Sequence, residues 1–335
     1  MDLKNLIMKL SSAEGFGEMG NAVSAVREEI EKYADEVYDD GSCVTAFIKG
    51  KSEKTIMFDA HIDEVGFVVT AADKNGFVKV APAGGIDGRI LAAQPVHIHG
   101  KEVYTGVFCS TPPHLSKGDE KPKKAEDMYI DTGIRDGAGE LIPLGSHVTY
   151  ATTPKALAGG YICGKSLDDR AGAAALIEAA RLIREKGTPE YNICFLFSHS
   201  EELGCRGAKI KAFDINPDYA IAVDVGFGDV PDVPEEKSQK LGSGVMIGLS
   251  PVLSNKVCRA LTKIAKDNNI PHTFDVTGGT TSTNADVIAV TKGGIACGLL
   301  SIPLRNMHTP LEVVNAEDVG NTARLLSEFA FSFEE

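Results

Sequence analysis

The sequence predicts an α/β protein interrupted by a small all-β insert, and three observations predict it. Short apolar runs alternate with helical patterns toward both ends of the chain. From residue 67 to about residue 159 the pattern changes to a string of short strands with no good helix between them. Acidic residues and histidines recur just after the apolar runs, where open α/β sheets bind ligands. Strands alternating with helices argue for a largely parallel sheet covered on both faces.

Taken in order, residues 2–10 and 21–33 read as helices, with Ser11, Ser12 and Gly15 as breakers. TIMFDA, residues 55–60, is a short apolar run ending in polar residues, as a buried strand does. FVVTAADKNGFVKVAPAGG carries the turn Lys74-Asn75-Gly76 between two β-rich runs, a hairpin pattern. PVHIHG, VYTGVFC, MYIDTG and HVTYAT follow as short strands, and the charged stretch 117–127 reads as a loop. After Gly164, LDDRAGAAALIEAARLIREKG is a long helix with acidic residues at its start, Arg and Lys near its end, and Gly187 then Pro189 as stops. YNICFLFS, AIAVD, VMIGLS, HTFDV and ACGLLSI are strands, and 252–268, 285–290 and 316–331 are helices. The expected division is therefore residues 1–66 with 160–335 as one discontinuous α/β domain, and 67–159 as a β insert.

The 335 residues are 43% hydrophobic and 24% charged, an ordinary globular balance that excludes fibrous or broadly disordered classes. Asp and Glu outnumber Lys and Arg by 47 to 34, for a formal net charge of −13. That charge repels phosphate backbones and anionic lipid, so nucleic acid and membrane surfaces are poor partners. No apolar run approaches the ~18 residues of a membrane span, and the first residues lack a signal-peptide pattern. Cys43, Cys109, Cys163, Cys194, Cys205, Cys258 and Cys297 are scattered, odd in number and without a CxxC pair. Free thiols in a reducing cytoplasm are the expectation.

Five segments place metal-competent side chains at strand ends or a helix start. His61 and Asp63 follow TIMFDA, Asp168 and Asp169 open the long helix, Glu201 and Glu202 follow YNICFLFSHS, Asp224 follows AIAV, and His308 follows the last apolar strand. Carboxylates gathered so closely repel one another unless a cation compensates them. Mixed imidazole and carboxylate ligands suit Zn²⁺, Mn²⁺ or Co²⁺ better than Ca²⁺. Two ions about 3.5–4 Å apart, sharing one carboxylate, use five ligands and leave a sixth acid free as general base. The plainer alternative is that Asp168 and Asp169 cap the helix and that Glu201 and Glu202 form a solvated turn.

These residues fall in five ordered motifs: Ala60-His61-Ile62-Asp63-Glu64-Val65-Gly66; Lys165-Ser166-Leu167-Asp168-Asp169-Arg170-Ala171-Gly172; Glu201-Glu202-Leu203-Gly204-Cys205-Arg206-Gly207-Ala208; Ala222-Val223-Asp224; and Pro303-Leu304-Arg305-Asn306-Met307-His308-Thr309-Pro310-Leu311-Glu312. Together they resemble the motif set of the TET-type dinuclear metallo-aminopeptidases, the relatives of glutamyl and deblocking aminopeptidases, some of them labelled endoglucanase. The resemblance runs nearly end to end. It implies a zinc-peptidase-like α/β/α sandwich with an inserted PDZ-like or barrel-like β domain that makes dimers. It also implies that His61 and Asp224 bind one divalent ion, Glu202 and His308 a second, and Asp168 both, with Zn²⁺ favoured over Co²⁺ or Mn²⁺. Glu201 is then the general base, and Asp63 orients the His61 ring. The implied substrates are short peptides, cleaved at a free N-terminus inside a hollow tetrahedron of twelve subunits. Alternatives are a related metallohydrolase acting on acylated amino acids or as a carboxypeptidase, a glycoside hydrolase, and a non-catalytic shell protein.

The remaining candidates read as structural. His97 and His99 share a strand face within the insert, away from the cluster. Ser198-His199 lacks a GxSxG elbow, so it is a poor nucleophile pair. No GxGxxG opens a helix, so dinucleotide binding is weak. His114, His147 and His272 read as loop, edge or strand-start residues. Asn284, in Thr281-Ser282-Thr283-Asn284-Ala285-Asp286, stands where the resemblance leads one to expect Asp. It removes a charge near the expected place of the substrate side chain, or serves simply as a helix N-cap.

Overall fold

The computed structural model describes residues 2–16, 19–115, 122–231 and 233–334. An eleven-stranded sheet forms the body of the molecule. Its centre is four parallel strands in the order Ala296–Arg305, Tyr219–Phe227, Thr55–His61 and Asn192–Ser198. Both faces of these strands are buried, and alternation assigns side chains to two cores. Ile193, Phe195 and Phe197 point into one core with Ile56, Phe58, Ile221 and Val223. Cys194 and Leu196 point into the other with Met57, Ala220 and Ala222.

Helix Leu167–Lys186 packs on the first face, together with Leu3–Ser12 and Ala316–Ser332. Seven small residues, Ala171 to Ala175 with Ala179 and Ala180, are fully buried in the long helix and let its backbone lie close to its neighbours. Arg206–Ile215 and Asn284–Ala289 cover the second face. The result is an α/β/α sandwich.

The flanks of the sheet depart from the expected parallel order. Glu36–Asp39 and Val44–Ile48 form an antiparallel pair on the Asn192–Ser198 edge, and Glu312–Asn315 with Tyr161–Gly164 continue the other edge antiparallel. The reason is local turn chemistry. Asp40 accepts the backbone N–H groups of Ser42 and Cys43, and Gly41 sits at φ +86°, so the chain reverses at once instead of crossing over through a helix.

The insert is a closed barrel of six strands, running from Gly66–Ala72 to His147–Tyr150. Phe67, Val80, Ile98, Phe108, Ile130 and Val148 fill it. The short strand Lys155–Ala156 pairs with Tyr161–Gly164 and so belongs to the large sheet. The insert also holds a one-turn helix, Ala138–Leu141, which the strand-rich pattern hides. Of the charged stretch 117–127, residues 117–121 lie outside the described residues, while Ala125–Asp127 form a 3-10 turn with Ala125 buried against the barrel core. All seven cysteines are free.

Candidate metal centre

The carboxyl ends of the parallel strands converge on one crevice, as the strand order requires. His61 is the last residue of Thr55–His61, and Asp63 follows in the next turn. Asp224 lies in Tyr219–Phe227, the neighbouring strand. The turn after Asn192–Ser198 carries Glu201 and Glu202. Asp168 precedes the helical turns of the long helix, and His308 sits in the turn after Ala296–Arg305. All seven predicted residues are therefore brought to one place, although more than one hundred residues separate His61 from Asp168.

His61 Nε2 is 3.0 Å from Asp168 Oδ1 and 4.0 Å from Asp224 Oδ1. His308 Nε2 is 3.3 Å from Asp168 Oδ2 and 3.1 Å from Glu202 Oε1. Asp168 thus turns one oxygen toward each imidazole. His308 Nδ1 donates to the carbonyl oxygen of Gly85 at 2.8 Å, which leaves the Nε2 lone pair facing Asp168 and Glu202. His61 Nδ1 faces Asp63 Oδ1 at 3.4 Å, a charge contact rather than a hydrogen bond. Asp63 also accepts the backbone N–H groups of Glu201 and Glu202, so the carboxylate beside the imidazole holds the turn that carries the two glutamates.

Two further acids carry no ligand or base role in the sequence reading, although Asp169 is among its metal-competent side chains. Glu312, buried, accepts the backbone N–H of Asp168 at 3.1 Å and of His308 at 2.7 Å. Asp169 caps the long helix, because its Oδ1 accepts the Gly172 N–H at 3.0 Å; a Cβ at Gly172 would strike that carboxylate at 2.4 Å. Its other oxygen is buried without a hydrogen bond, and Asp169 lies with His61 and Asp224 such that one ligand atom from each falls within 4.8 Å of the others. The capping alternative therefore holds for Asp169 and fails for Asp168. Glu312 ends the last motif, and its signal in the sequence was its place four residues after His308.

Electrostatics follow from the crowding. Burial pushes the Glu201 carboxyl up to about 7, and Glu202 and Asp168 add to the rise. Asp224 is raised well above the usual carboxylate range, chiefly by burial. Burial opposes ionisation of Asp168 too, but hydrogen bonds with His308 and His61 outweigh it and hold Asp168 below its ordinary value. No Lys or Arg lines the crevice among the described residues. Two imidazoles and several carboxylates aimed at one another, with an orphaned buried carboxylate oxygen on Asp169, fit divalent ions of the Zn²⁺, Mn²⁺ or Co²⁺ type.

The other candidates lie elsewhere. His97 pairs with Glu14 at 2.6 Å and His99 bonds Thr149 at 3.0 Å, both in the insert and away from the centre. His199 Nδ1 bonds Ser200, whereas Ser198 accepts from Asn284. His272 Nδ1 donates to the Ile270 carbonyl. Asn284 corrects both of its readings. It is buried behind the site, donating to Asp59 at 2.8 Å and to Ser198 at 3.0 Å, and the N-cap of its helix is Thr283. The crevice opens into a cavity of about 440 Å³, within the usual range for a small-ligand site.

The model of the M42 glutamyl aminopeptidase family matches residues 41–325. The chain belongs to this family. It is an aminopeptidase, and the family is metal-dependent. A putative aminopeptidase of Acetivibrio thermocellus is 34% identical over 98% of both chains. A lysyl aminopeptidase of Pyrococcus furiosus is 32% identical, covering 97% of this chain and 94% of its own. Among solved structures, aminopeptidase APDkam598 of Desulfurococcus kamchatkensis superposes with a TM-score of 0.91 at 30% identity, covering 99% of this chain and 95% of that one. The TET1 peptidase of Pyrococcus horikoshii superposes with a TM-score of 0.86 at 29% identity, covering 99% and 100%.

Proposed function

We propose that this aminopeptidase works through two divalent ions bridged by Asp168, with Glu201 as general base. The observation that carries the reading is the split of the Asp168 carboxylate, one oxygen on the His61 side and the other on the His308 side. His61 and Asp224 would hold one ion, and Glu202 and His308 the other, with Zn²⁺ favoured and Co²⁺ or Mn²⁺ as alternatives. Such ions supply Lewis acidity that makes water a nucleophile near neutral pH.

Glu201 forms no ion pair with either imidazole, and its only side-chain hydrogen bond among the described residues comes from Cys205 Sγ at 3.4 Å. A carboxyl that titrates near 7 is suited to accept and return a proton. It takes the proton of the attacking water and delivers it to the departing amine nitrogen as the C–N bond breaks. The peptide's free α-amine is anchored beside the cluster, which confines cleavage to the N-terminal residue. A glycosidase would need two carboxylates left free to flank a sugar. Here Asp168 and Glu202 are already engaged with imidazoles, which favours the metal reading.

Short peptides are the substrates, and we place the chain in an oligomer. The Pyrococcus horikoshii relative can assemble into a tetrahedron or a large octahedral shell. On the insert of this chain Val103, Val107 and Tyr129 stand exposed, which supports a dimer contact through the barrel and, from dimers, a tetrahedral dodecamer. No helix among the described residues is long and apolar enough to cross a membrane. The seven free thiols suit a reducing compartment, the cytoplasm.

Glu201→Gln tests the mechanism. It should keep its metal content and lose about a hundredfold or more of kcat. Activity within tenfold of wild type would remove Glu201 from the role.

A further inference from the structure

The cavity that holds the ligand cluster continues away from it to a wall built by strands Val245–Leu249 and His272–Val276 and the loop 277–283. That wall is neutral, made of residues such as Ser250, Leu253, Thr277 and Thr281, with one exception. Asp275 lines it, on the same strand face as Thr277. Its register partner on the neighbouring strand is Gly248, which adds no side chain beside it. Asp275 is half-buried, and among the described residues no cation or hydrogen-bond donor pairs with it. Burial alone lifts its carboxyl above the usual range, an unfavourable state that a bound cation relieves. The other acids lining the cavity, Asp168, Glu201, Glu202 and Asp224, all belong to the ligand cluster.

We propose that Asp275 is a specificity residue that selects peptides whose N-terminal side chain is cationic, Lys or Arg, and rejects those beginning with Glu or Asp. The inference rests on the metal-dependent aminopeptidase reading of the same crevice. With the substrate's α-amine and scissile carbonyl at the cluster, its N-terminal side chain extends toward the far wall. There an ammonium or guanidinium meets the one unpaired carboxylate, in a partly desolvated place where the attraction is stronger than in water. A carboxylate side chain meets like charge and no Lys or Arg to offset it, which is discrimination by repulsion as well as by attraction. The Asn284 departure noted in the sequence does not bear on this choice, since Asn284 lies behind the site.

The zinc-loaded enzyme is assayed on the p-nitroanilides of Lys, Arg, Leu and Glu. The expected result is a kcat/KM for Lys and Arg at least about tenfold above that for Glu. In Asp275→Asn the Lys-to-Leu ratio of kcat/KM falls about tenfold, mostly through KM, and Asp275→Glu restores it. The KM for the lysyl amide rises with ionic strength more steeply than that for the leucyl amide. Cleavage of the leucyl amide with a Lys-to-Leu ratio unmoved by Asp275→Asn, or a preference for Glu, overturns the assignment of Asp275 and leaves the metal site untouched. Cleavage of none of the four overturns the reading of the crevice, and this inference with it.

Discussion

Asp63 Oδ1 lies 3.4 Å from Nδ1 of His61, and the same carboxylate accepts the backbone N–H groups of Glu201 and Glu202. One buried acid therefore sets its charge beside the ring of a proposed ligand and holds the turn that carries the proposed base. Asp63→Asn keeps the shape but loses the charge that favours the Nδ1–H form of His61. It should lower metal affinity and kcat/KM by about 10–100-fold, the range seen when a partner of a ligating histidine is removed. Isothermal titration with Zn²⁺ and steady-state assays check this. Unchanged affinity would show that Asp63 supports the turn alone.

Glu312 plays the matching part on the other side, accepting the N–H groups of Asp168 and His308. Glu312→Leu strands two buried donors, at a cost of about 1–3 kcal/mol for each group left unsatisfied. Thermal unfolding of the metal-free protein should show the loss. Zinc affinity should fall as well, because both proposed ligands lose their anchor. A variant of wild-type stability would contradict the structural role given to Glu312.

The expected ligands were legible because strand-end acids and imidazoles have few reasons to follow apolar runs such as TIMFDA and YNICFLF. His61, Asp168, Glu202, Asp224 and His308 come together because their strands are neighbours in the parallel centre. Asp169 was harder, since capping a helix and facing a ligand site call for the same residue type, and it does the first while leaning toward the second. Among the described residues Glu312 acts through the backbone donors of Asp168 and His308, and its place four residues after His308 marks the position without revealing that role. Val44–Ile48 and Glu36–Asp39 escaped notice because each is too short to show periodicity, and their pairing depends on the Asp40 turn. The place of Asn284 depends on Asp59, a residue 225 positions away, and no local rule predicts that contact.

The metal-free protein should lose stability as pH rises. Glu201 has a folded-state value of about 7, raised above the ordinary glutamate value of 4.5, first by burial. Asp224 and Glu312 are raised well above theirs, again first by burial. For His308 burial acts downward, but hydrogen bonds with Asp168 and Glu202 outweigh it and carry the ring up to about 11. A group raised in the folded state contributes stability below its unfolded value and loses it as pH climbs through the folded one. For Glu201 that window runs from 4.5 to about 7. Asp168 has the opposite sign, and its contribution disappears only in acid, below its ordinary value. In chelator, Tm should therefore fall between about pH 5.5 and about pH 7.5. With Zn²⁺ added the trend should weaken or reverse, because metal competes with protons for the same atoms. A Tm that climbs over this interval in chelator would contradict the assignment.

In the proposed centre the divided carboxylate of Asp168 would join two ions in one crevice. Elemental analysis after equilibrium dialysis of the whole chain against Zn²⁺ tests it most directly. The chain should saturate at two ions, falling to one or none in Asp168→Ala. Saturation of the wild-type chain at a single ion, or at none, would contradict it.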